Sequence, residues 1–412
     1  MNGTDWPSAI AHIDADCFYA SCERARRPEL ARVPVCVLSN QNAFVVAKSY
    51  DAKARGITTG MPLWQARRLV PQALFLPPDF RFYGLMSERL FAILRRFSPL
   101  VEAYSIDEGF LDLAGLHALW PQGFRPLADD IRRQVQREVG ITVSVGVGTS
   151  KTLAKIAAEQ NKPNGSTIIP GRRIGRLLAK VAVGDIPGIG RRRAELLGRQ
   201  QIATAWQFAA CEAASIERLL GRHGLTLWHE LRGEAVLPVV SEAPMPKSVA
   251  RTSSTGGAVF ERAEMAAWLA HHCHRLVAEL VAKRLIARRL TVFLTDAAFE
   301  AHSVRMRLPQ AGNSLKEIGA AAHSALGQLW RDGEGWRGSG VVADELLPEA
   351  GQTLDLFGGD REALRQRELM YTLSAINRHF GNGAIGPGSE LRIGKGGSTA
   401  LRFRYPLLLA RG

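Results

Sequence analysis

AYSIDEGFLDL, residues 103–113, places two adjacent carboxylates, Asp107 and Glu108, inside an otherwise apolar, strand-like run. Neighbouring side chains of a strand point to opposite faces, so one of the pair should enter the core. A buried, unpaired carboxylate costs several kcal/mol or takes up a proton. A tight turn at Glu108–Gly109, which glycine permits, would bring both side chains to one side and resolve the conflict. A second strand end of this kind occurs in HIDAD, residues 12–16. A site for two divalent cations and a triphosphate needs about three carboxylates, drawn from different strand ends onto one surface. Taken alone, Asp14 or Asp16 could equally cap the helix that starts near Cys17.

Length and charge frame these strands. The chain has 412 residues, with 53 Lys and Arg against 39 Asp and Glu, a net charge of +14 and a pI near 10.0. That length fits roughly two to four domains with real cores, and the basic excess points to an anionic partner, most often nucleic acid. No apolar run approaches the roughly 20 residues of a membrane span. The N-terminus lacks the basic and apolar regions of a secretory signal. Cys17, Cys22, Cys36, Cys211 and Cys273 are scattered without a CxxC pair, which indicates neither a zinc site nor a disulfide framework. The expectation is a cytoplasmic protein.

Along the chain, residues 8–25 read as a short strand ending at Asp14 and then a helix. A strand-and-helix insertion follows and ends near Pro77–Pro78. A helix over Phe82–Phe97, the opening stretch and a helix over Pro126–Val139 lead to GITVSVGVGTS. There Ile141, Val143, Val145 and Val147 alternate with small residues, a strand signature. This order predicts an α/β (α+β) sheet backed by helices on one face. Residues 183–234 read as compact and helical, VSEAPMPKS (240–248) as a linker, and Val249–Asp344 as a second α/β unit. The Gly-rich end, residues 381–400, reads as flexible.

Two further stretches carry positive charge. GTSKTLAKIAAEQNKPNG (148–165) sets Lys162 just before a Pro-Asn-Gly turn, a good position for a point charge aimed at phosphate. Tyr50 and Lys53, three apart, share one helical face. Isolated lysines are ordinarily solvated; their company beside carboxylate-bearing strands favours the phosphate reading. In GDIPGIGRRRAELL (184–197) the turn around Gly188 and Gly190 exposes successive N–H groups, which bind a DNA phosphate without reading sequence. Arg191, Arg192 and Arg193 add charge at once.

Taken in order, DADCFYASCE (14–23), Ser105-Ile106-Asp107-Glu108, SKTLAKIAA with NKPNG, and IPGIG resemble the Y-family translesion DNA polymerases over nearly the whole chain. FYASCE, Lys53 and the C-terminal tail are similar to the UmuC branch, the catalytic subunit of bacterial DNA polymerase V. NKPNG is more typical of the DinB branch, DNA polymerase IV. The resemblance implies a right-hand polymerase: palm 1–30 and 78–182, small fingers 31–77, helical thumb 183–240, linker 241–248, an α/β little finger 249–344 and a tail 345–412. It implies two Mg2+ ions held by Asp14, Asp107, Glu108 and the backbone carbonyl of Ala15. It also implies nucleotide contacts from Phe18, Tyr19, Tyr50, Lys53 and Lys162, with Tyr19 as the steric gate against a 2′-hydroxyl. From the residues alone, Tyr19 could be an ordinary core aromatic. Gly188, Gly190, Arg191 and Arg192 would contact DNA.

The tail segment GQTLDLFGG resembles a sliding-clamp docking peptide, with Gln352, Leu354, Leu356 and Phe357 as anchors; packing of the tail on its own domain is the alternative. Implied partners are primer-template DNA, dNTP and the sliding clamp, with a UmuD′ dimer and RecA if the UmuC affiliation holds, and no membrane. The implied role is low-fidelity synthesis past lesions in the SOS response, near the nucleoid. Two competing readings are a catalytically inactive repair scaffold, expected to lose the carboxylates, and a helix-hairpin-helix binding protein, which leaves them unexplained.

Overall fold

β1 (Ile10–Ala15) is buried along its whole length, which requires cover on both faces of the sheet it centres. The chain then makes β2 (Val35–Leu38), β3 (Val45–Lys48) and β4 (Leu74–Leu76). It returns with β5 (Val101–Ala103), β6 (Glu108–Asp112), β7 (Val143–Gly148) and β8 (Ser166–Ile168). The main sheet has the order β5-β6-β1-β7-β8, with β7 and β8 parallel and the other pairs antiparallel. The computed structural model describes residues 6–39, 42–116, 120, 122–242, 244–351, 360–380 and 385. It divides into two compact units, Met1–Ala243 and Pro244–Gly412, at a boundary inside the Pro-containing stretch 240–248.

On one face of the main sheet, Ile13, Leu111 and Val145 join the helices Phe80–Leu94 and Phe124–Val139 in the largest core. The opposite face is covered too, which corrects the expectation of helices on one side only. Gly146 and Gly148 are two of the small residues of the β7 alternation, and the helix Lys151–Glu159 rests on them. A Cβ at Gly146 would stand 2.1 Å from the Ala154 carbonyl oxygen. The alternation therefore marks a close helix seat, where only glycine lets two backbones approach.

The expected turn at Glu108–Gly109 is absent. β6 runs straight through Gly109, which pairs with Ile13 on one side and Ala103 on the other. The chain reverses earlier, over residues 104–107. There the Ser105 hydroxyl oxygen accepts the N–H groups of Asp107 (3.2 Å) and Glu108 (3.0 Å), a local side-chain turn. Glycine is needed at 109 for packing instead: a Cβ there would lie 2.7 Å from the Phe91 ring and 3.2 Å from the Glu102 carbonyl oxygen.

β2–β4 form a small sheet, order β3-β2-β4, around a core of Cys36, Val45, Ala52, Ile57 and Ala66. A helical cluster gathers Ile169, Leu178, Phe208, Ile216 and Leu231 with Leu153 and Ile156, so it begins before residue 183 and shares the helix Lys151–Glu159 with the main sheet. Buried Glu230 fixes that junction: Oε2 accepts the Thr152 N–H at 2.9 Å, and Oε1 accepts the Val236 and Leu237 N–H groups, each at 3.0 Å.

The second unit is a four-stranded antiparallel sheet, β11-β10-β12-β9, built from β9 (Ser248–Val259), β10 (Leu285–Thr295), β11 (Ala301–Gly312) and β12 (Trp336–Pro348). The helices Arg262–Ala282 and Leu315–Leu329 bury one face. β12 runs past residue 344, and Met370 of the helix Asp360–Phe380 is buried in the same core. Part of the expected tail is therefore ordered structure. Gln352, Leu354, Leu356 and Phe357 lie outside the described residues, as does the Gly-rich end apart from residue 385. Among the described residues all five cysteines are free, and no helix is long and apolar enough to cross a membrane.

Candidate active site

The face of the main sheet that seats the helix Lys151–Glu159 turns polar at one end. Asp14 lies directly opposite Glu108 in the β1–β6 register, so their side chains share that face. His12, two residues back along β1, joins them. Ligand atoms of His12, Asp14 and Glu108 all lie within 4.8 Å of one another. Each carboxylate meets a lysine amine supplied by the segment that follows β7. Lys162 Nζ is 2.8 Å from Asp14 Oδ2 and 2.5 Å from Glu159 Oε1, and Lys155 pairs with Glu108.

The two acids sit in unequal fields. Burial pushes the Asp14 carboxyl up to about 6 although Lys162 pulls the other way. Glu108 is held down to about 2, first by the His12 ring at its side and then by Lys155, against the cost of its own burial. Burial holds His12 below the usual imidazole range. Its Nε2 stands 3.5 Å from Glu108 Oε2, a close contact without hydrogen-bond alignment, and neither ring nitrogen has a hydrogen-bond partner among the described residues. Two carboxylates with ammonium groups on them, and a buried imidazole beside Glu108 with no aligned hydrogen bond of its own, form a donor set that suits a divalent cation.

Asp107 is outside this group. It lies in the turn before β6, where its Oδ1 accepts from the Ser105 hydroxyl at 2.6 Å, and its backbone carbonyl accepts the Ala15 N–H at 3.0 Å. The adjacent acids thus part company: Glu108 begins the strand, and Asp107 remains half-exposed beside it. Neither Asp14 nor Asp16 caps the helix Phe18–Arg26, which has no side-chain cap and starts from Cys17 at φ 48°.

Asp16 organises the surroundings. It is 2% exposed and accepts from the Ser144 hydroxyl (2.8 Å), the Asn164 N–H (2.8 Å) and the Tyr50 hydroxyl (3.4 Å). One carboxylate thereby ties β7, the turn that carries Lys162 and the first residue of the helix Tyr50–Ala54 to the end of β1. Lys53, three residues beyond Tyr50, is exposed. Phe18 is part of the main core, whereas Tyr19 is only partly buried and stacks on Tyr83.

The glycine turn lies apart from these acids. Gly188 has φ +93°, and a Cβ there would stand 2.8 Å from His223 Nε2. The helix Arg191–Arg199 that follows has no side-chain cap, which leaves its first N–H groups open to an anion. Arg191 and Arg192 are exposed, Arg191 pairing with Glu195 at 2.9 Å. Arg193 instead donates to the Gly188 carbonyl at 2.9 Å and braces the turn.

Sequence reasoning missed His12 and Lys155. The signals were present but weak: His12 is two residues from Asp14 on a strand, and Lys155 is one helical turn from Lys151.

Residues 13–159 match the model of the impB/mucB/samB family, and residues 246–356 match that of the impB/mucB/samB family C-terminal domain. Protein ImpB of Salmonella typhimurium is 32% identical over 385 residues, covering 90% of each chain. DNA polymerase IV 1 of Bacillus subtilis (strain 168) is 32% identical over 395 residues, covering 93% of each. Among solved structures, the Y-family DNA polymerase chimera Dbh-Dpo4(243-245)-Dbh matches with a TM-score of 0.70 at 25% identity, over 82% of this chain and 99% of the chimera.

Proposed function

The chain is a Y-family DNA polymerase of the impB/mucB/samB family, and on that premise we propose that it extends primers past damaged template bases as a UmuC-like enzyme of the bacterial DNA-damage response. The observation that carries the catalytic part is the Asp14–Glu108 pair, two carboxylates set opposite each other with a lysine amine on each. Asp14, Glu108 and Asp107, with the Ala15 carbonyl, would hold two Mg2+ ions, and Asp107 would exchange its Ser105 hydrogen bond to join them. Divalent cations held there would supply activation of the primer 3′-hydroxyl and neutralisation of charge on the departing pyrophosphate. Lys162 and Lys155 then turn from the carboxylates toward phosphate, joined by Tyr50 and Lys53, and Tyr19 faces the sugar as steric gate.

In this reading residues 1–30 and 78–182 are the palm, 31–77 the fingers, 183–240 the thumb and 249–344 the little finger. Duplex DNA lies with phosphates on the open helix N-terminus at Gly188, Gly190, Arg191 and Arg192. Gln352, Leu354, Leu356 and Phe357 would dock on the sliding clamp. A UmuD′ dimer and RecA belong to the UmuC affiliation. The DinB-like reading, a DNA polymerase IV, is supported by the Bacillus relative at the same 32% identity as ImpB.

Primer extension on intact and abasic templates, for wild type, Asp14→Ala and Glu108→Ala, tests this function. Wild type should extend the intact template alone and the abasic template once UmuD′ and RecA are added, and each variant should lose about a thousandfold or more in rate. Variants that extend as wild type does would remove the polymerase site from these residues. Addition of UmuD′ and RecA separates the branches: a UmuC-like enzyme needs them for lesion bypass, a DinB-like one does not.

A further inference from the structure

Tyr19 has an unusually elaborate support. Its ring stacks on Tyr83 of the helix Phe80–Leu94, with centroids 4.5 Å apart and planes 18° from parallel. Phe80 closes the side edge-on at 5.8 Å. Tyr83 is fully buried, and its hydroxyl donates to Glu23 Oε1 at 2.9 Å. Glu23 is itself 1% exposed and lies one helical turn beyond Tyr19 on the helix Phe18–Arg26. Arg26 holds both Glu23 oxygens at 2.8 and 2.7 Å and reaches Asp79 Oδ2 at 2.9 Å. Asp79 Oδ1 in turn accepts the Phe82 N–H at 3.1 Å and caps the helix that carries Tyr83. The two helices are thus locked to each other around the stacked pair.

A phenylalanine at 83 would fill the same core space without requiring a buried acid and its arginine. Buried ion pairs are weak evidence for stability, and their best-attested use is to fix one arrangement among several. The arrangement fixed here is the plane of the Tyr19 ring. An apolar wall rejects an added hydroxyl only modestly, and less still if the wall can recoil. A ring backed by a second ring, itself anchored through its hydroxyl, cannot recoil.

We propose that Tyr83, anchored by Glu23, is the backstop that holds the Tyr19 ring in place and so sets how strongly the site rejects a 2′-hydroxyl on the incoming nucleotide. The inference rests on Tyr19 being the gate. Tyr83 touches no substrate; it acts through Tyr19 as a positioning residue.

The test is the ratio of kcat/KM for a ribonucleotide to that for the matching deoxynucleotide, measured by primer extension with the full chain. Wild type, Tyr19→Ala, Tyr83→Leu and Tyr83→Phe are compared, each with a thermal melt. Tyr83→Leu should raise the ribonucleotide ratio about tenfold or more. Tyr83→Phe keeps the stack but loses the Glu23 bond and should raise it by about two- to threefold. Because Tyr83→Phe is nearly isosteric, it decides the matter if Tyr83→Leu fails to fold. A purely structural role would lower the use of both nucleotides together and leave the ratio unchanged, and that result overturns the proposal. If Tyr19→Ala shifts the ratio but neither Tyr83 variant does, the gate stands and the backstop is wrong. If Tyr19→Ala shifts nothing, the gate reading fails and the backstop fails with it.

Discussion

Asp14 and Asp16 lie two residues apart at the end of one strand, both buried, and their partners are of opposite kinds. Asp14 is met by the tip of one long side chain, Lys162, which already shares itself with Glu159. Asp16 is met by fixed groups: a hydroxyl, a backbone N–H and a phenol drawn from three separate segments. A related contrast holds between Glu108, which has the Lys155 amine and the His12 ring beside it, and Glu230, which accepts three backbone N–H groups. A mobile ammonium can be traded for a metal ion at little structural cost, because the lysine carries its charge elsewhere. Fixed dipoles cannot leave, so the carboxylates they hold are part of the frame. Partner type, rather than burial, separates the two classes.

The contrast is most easily broken by stability measurements. Asp16→Ala strands the Asn164 N–H and the Ser144 hydroxyl, and should cost about 2–4 kcal/mol in urea unfolding. Asp14→Ala leaves Lys162 with Glu159 and should change stability by less than about 1 kcal/mol, while abolishing synthesis. The reverse order of the two unfolding curves would erase the distinction. A smaller effect sharpens it from the DNA side. Arg192 is an exposed charge outside both classes, so Arg192→Ala should weaken duplex binding about equally on all sequences. It should also reduce the salt slope of log affinity by about one, read from fluorescence anisotropy at several salt concentrations. An unchanged slope would take Arg192 off the phosphate backbone.

Two acids of the candidate site, Asp14 and Glu108, were legible in the sequence, because strand ends that carry acids are local patterns. HIDAD and SIDE marked Asp14 and Glu108 as candidates before any register was known. What escaped depends on which residues meet across the sheet. His12 is unremarkable in sequence and becomes a neighbour of Glu108 only through the β1–β6 pairing. Lys155 needs the helix Lys151–Glu159 to lie on the same face as the acids, and that placement is set by Gly146 and Gly148. Gly109 was misread for a related reason: glycine signals either a turn or a close approach, and only the position of Phe91 decides between them. The fold class was readable from alternating elements. The cover on the second face and the helix Asp360–Phe380 were not, since both depend on packing partners distant along the chain.

The central claim is that Asp14 and Glu108 are exchangeable ligands while Asp16 is frame. Calorimetric titration of Mn2+ into the nucleotide-free chain tests it directly, with wild type, Asp14→Asn, Glu108→Gln and Asp16→Asn compared. Wild type and Asp16→Asn should bind the ion, and Asp14→Asn and Glu108→Gln should each lose at least about tenfold in affinity. Binding by Asp14→Asn and Glu108→Gln that matches wild type would contradict the account.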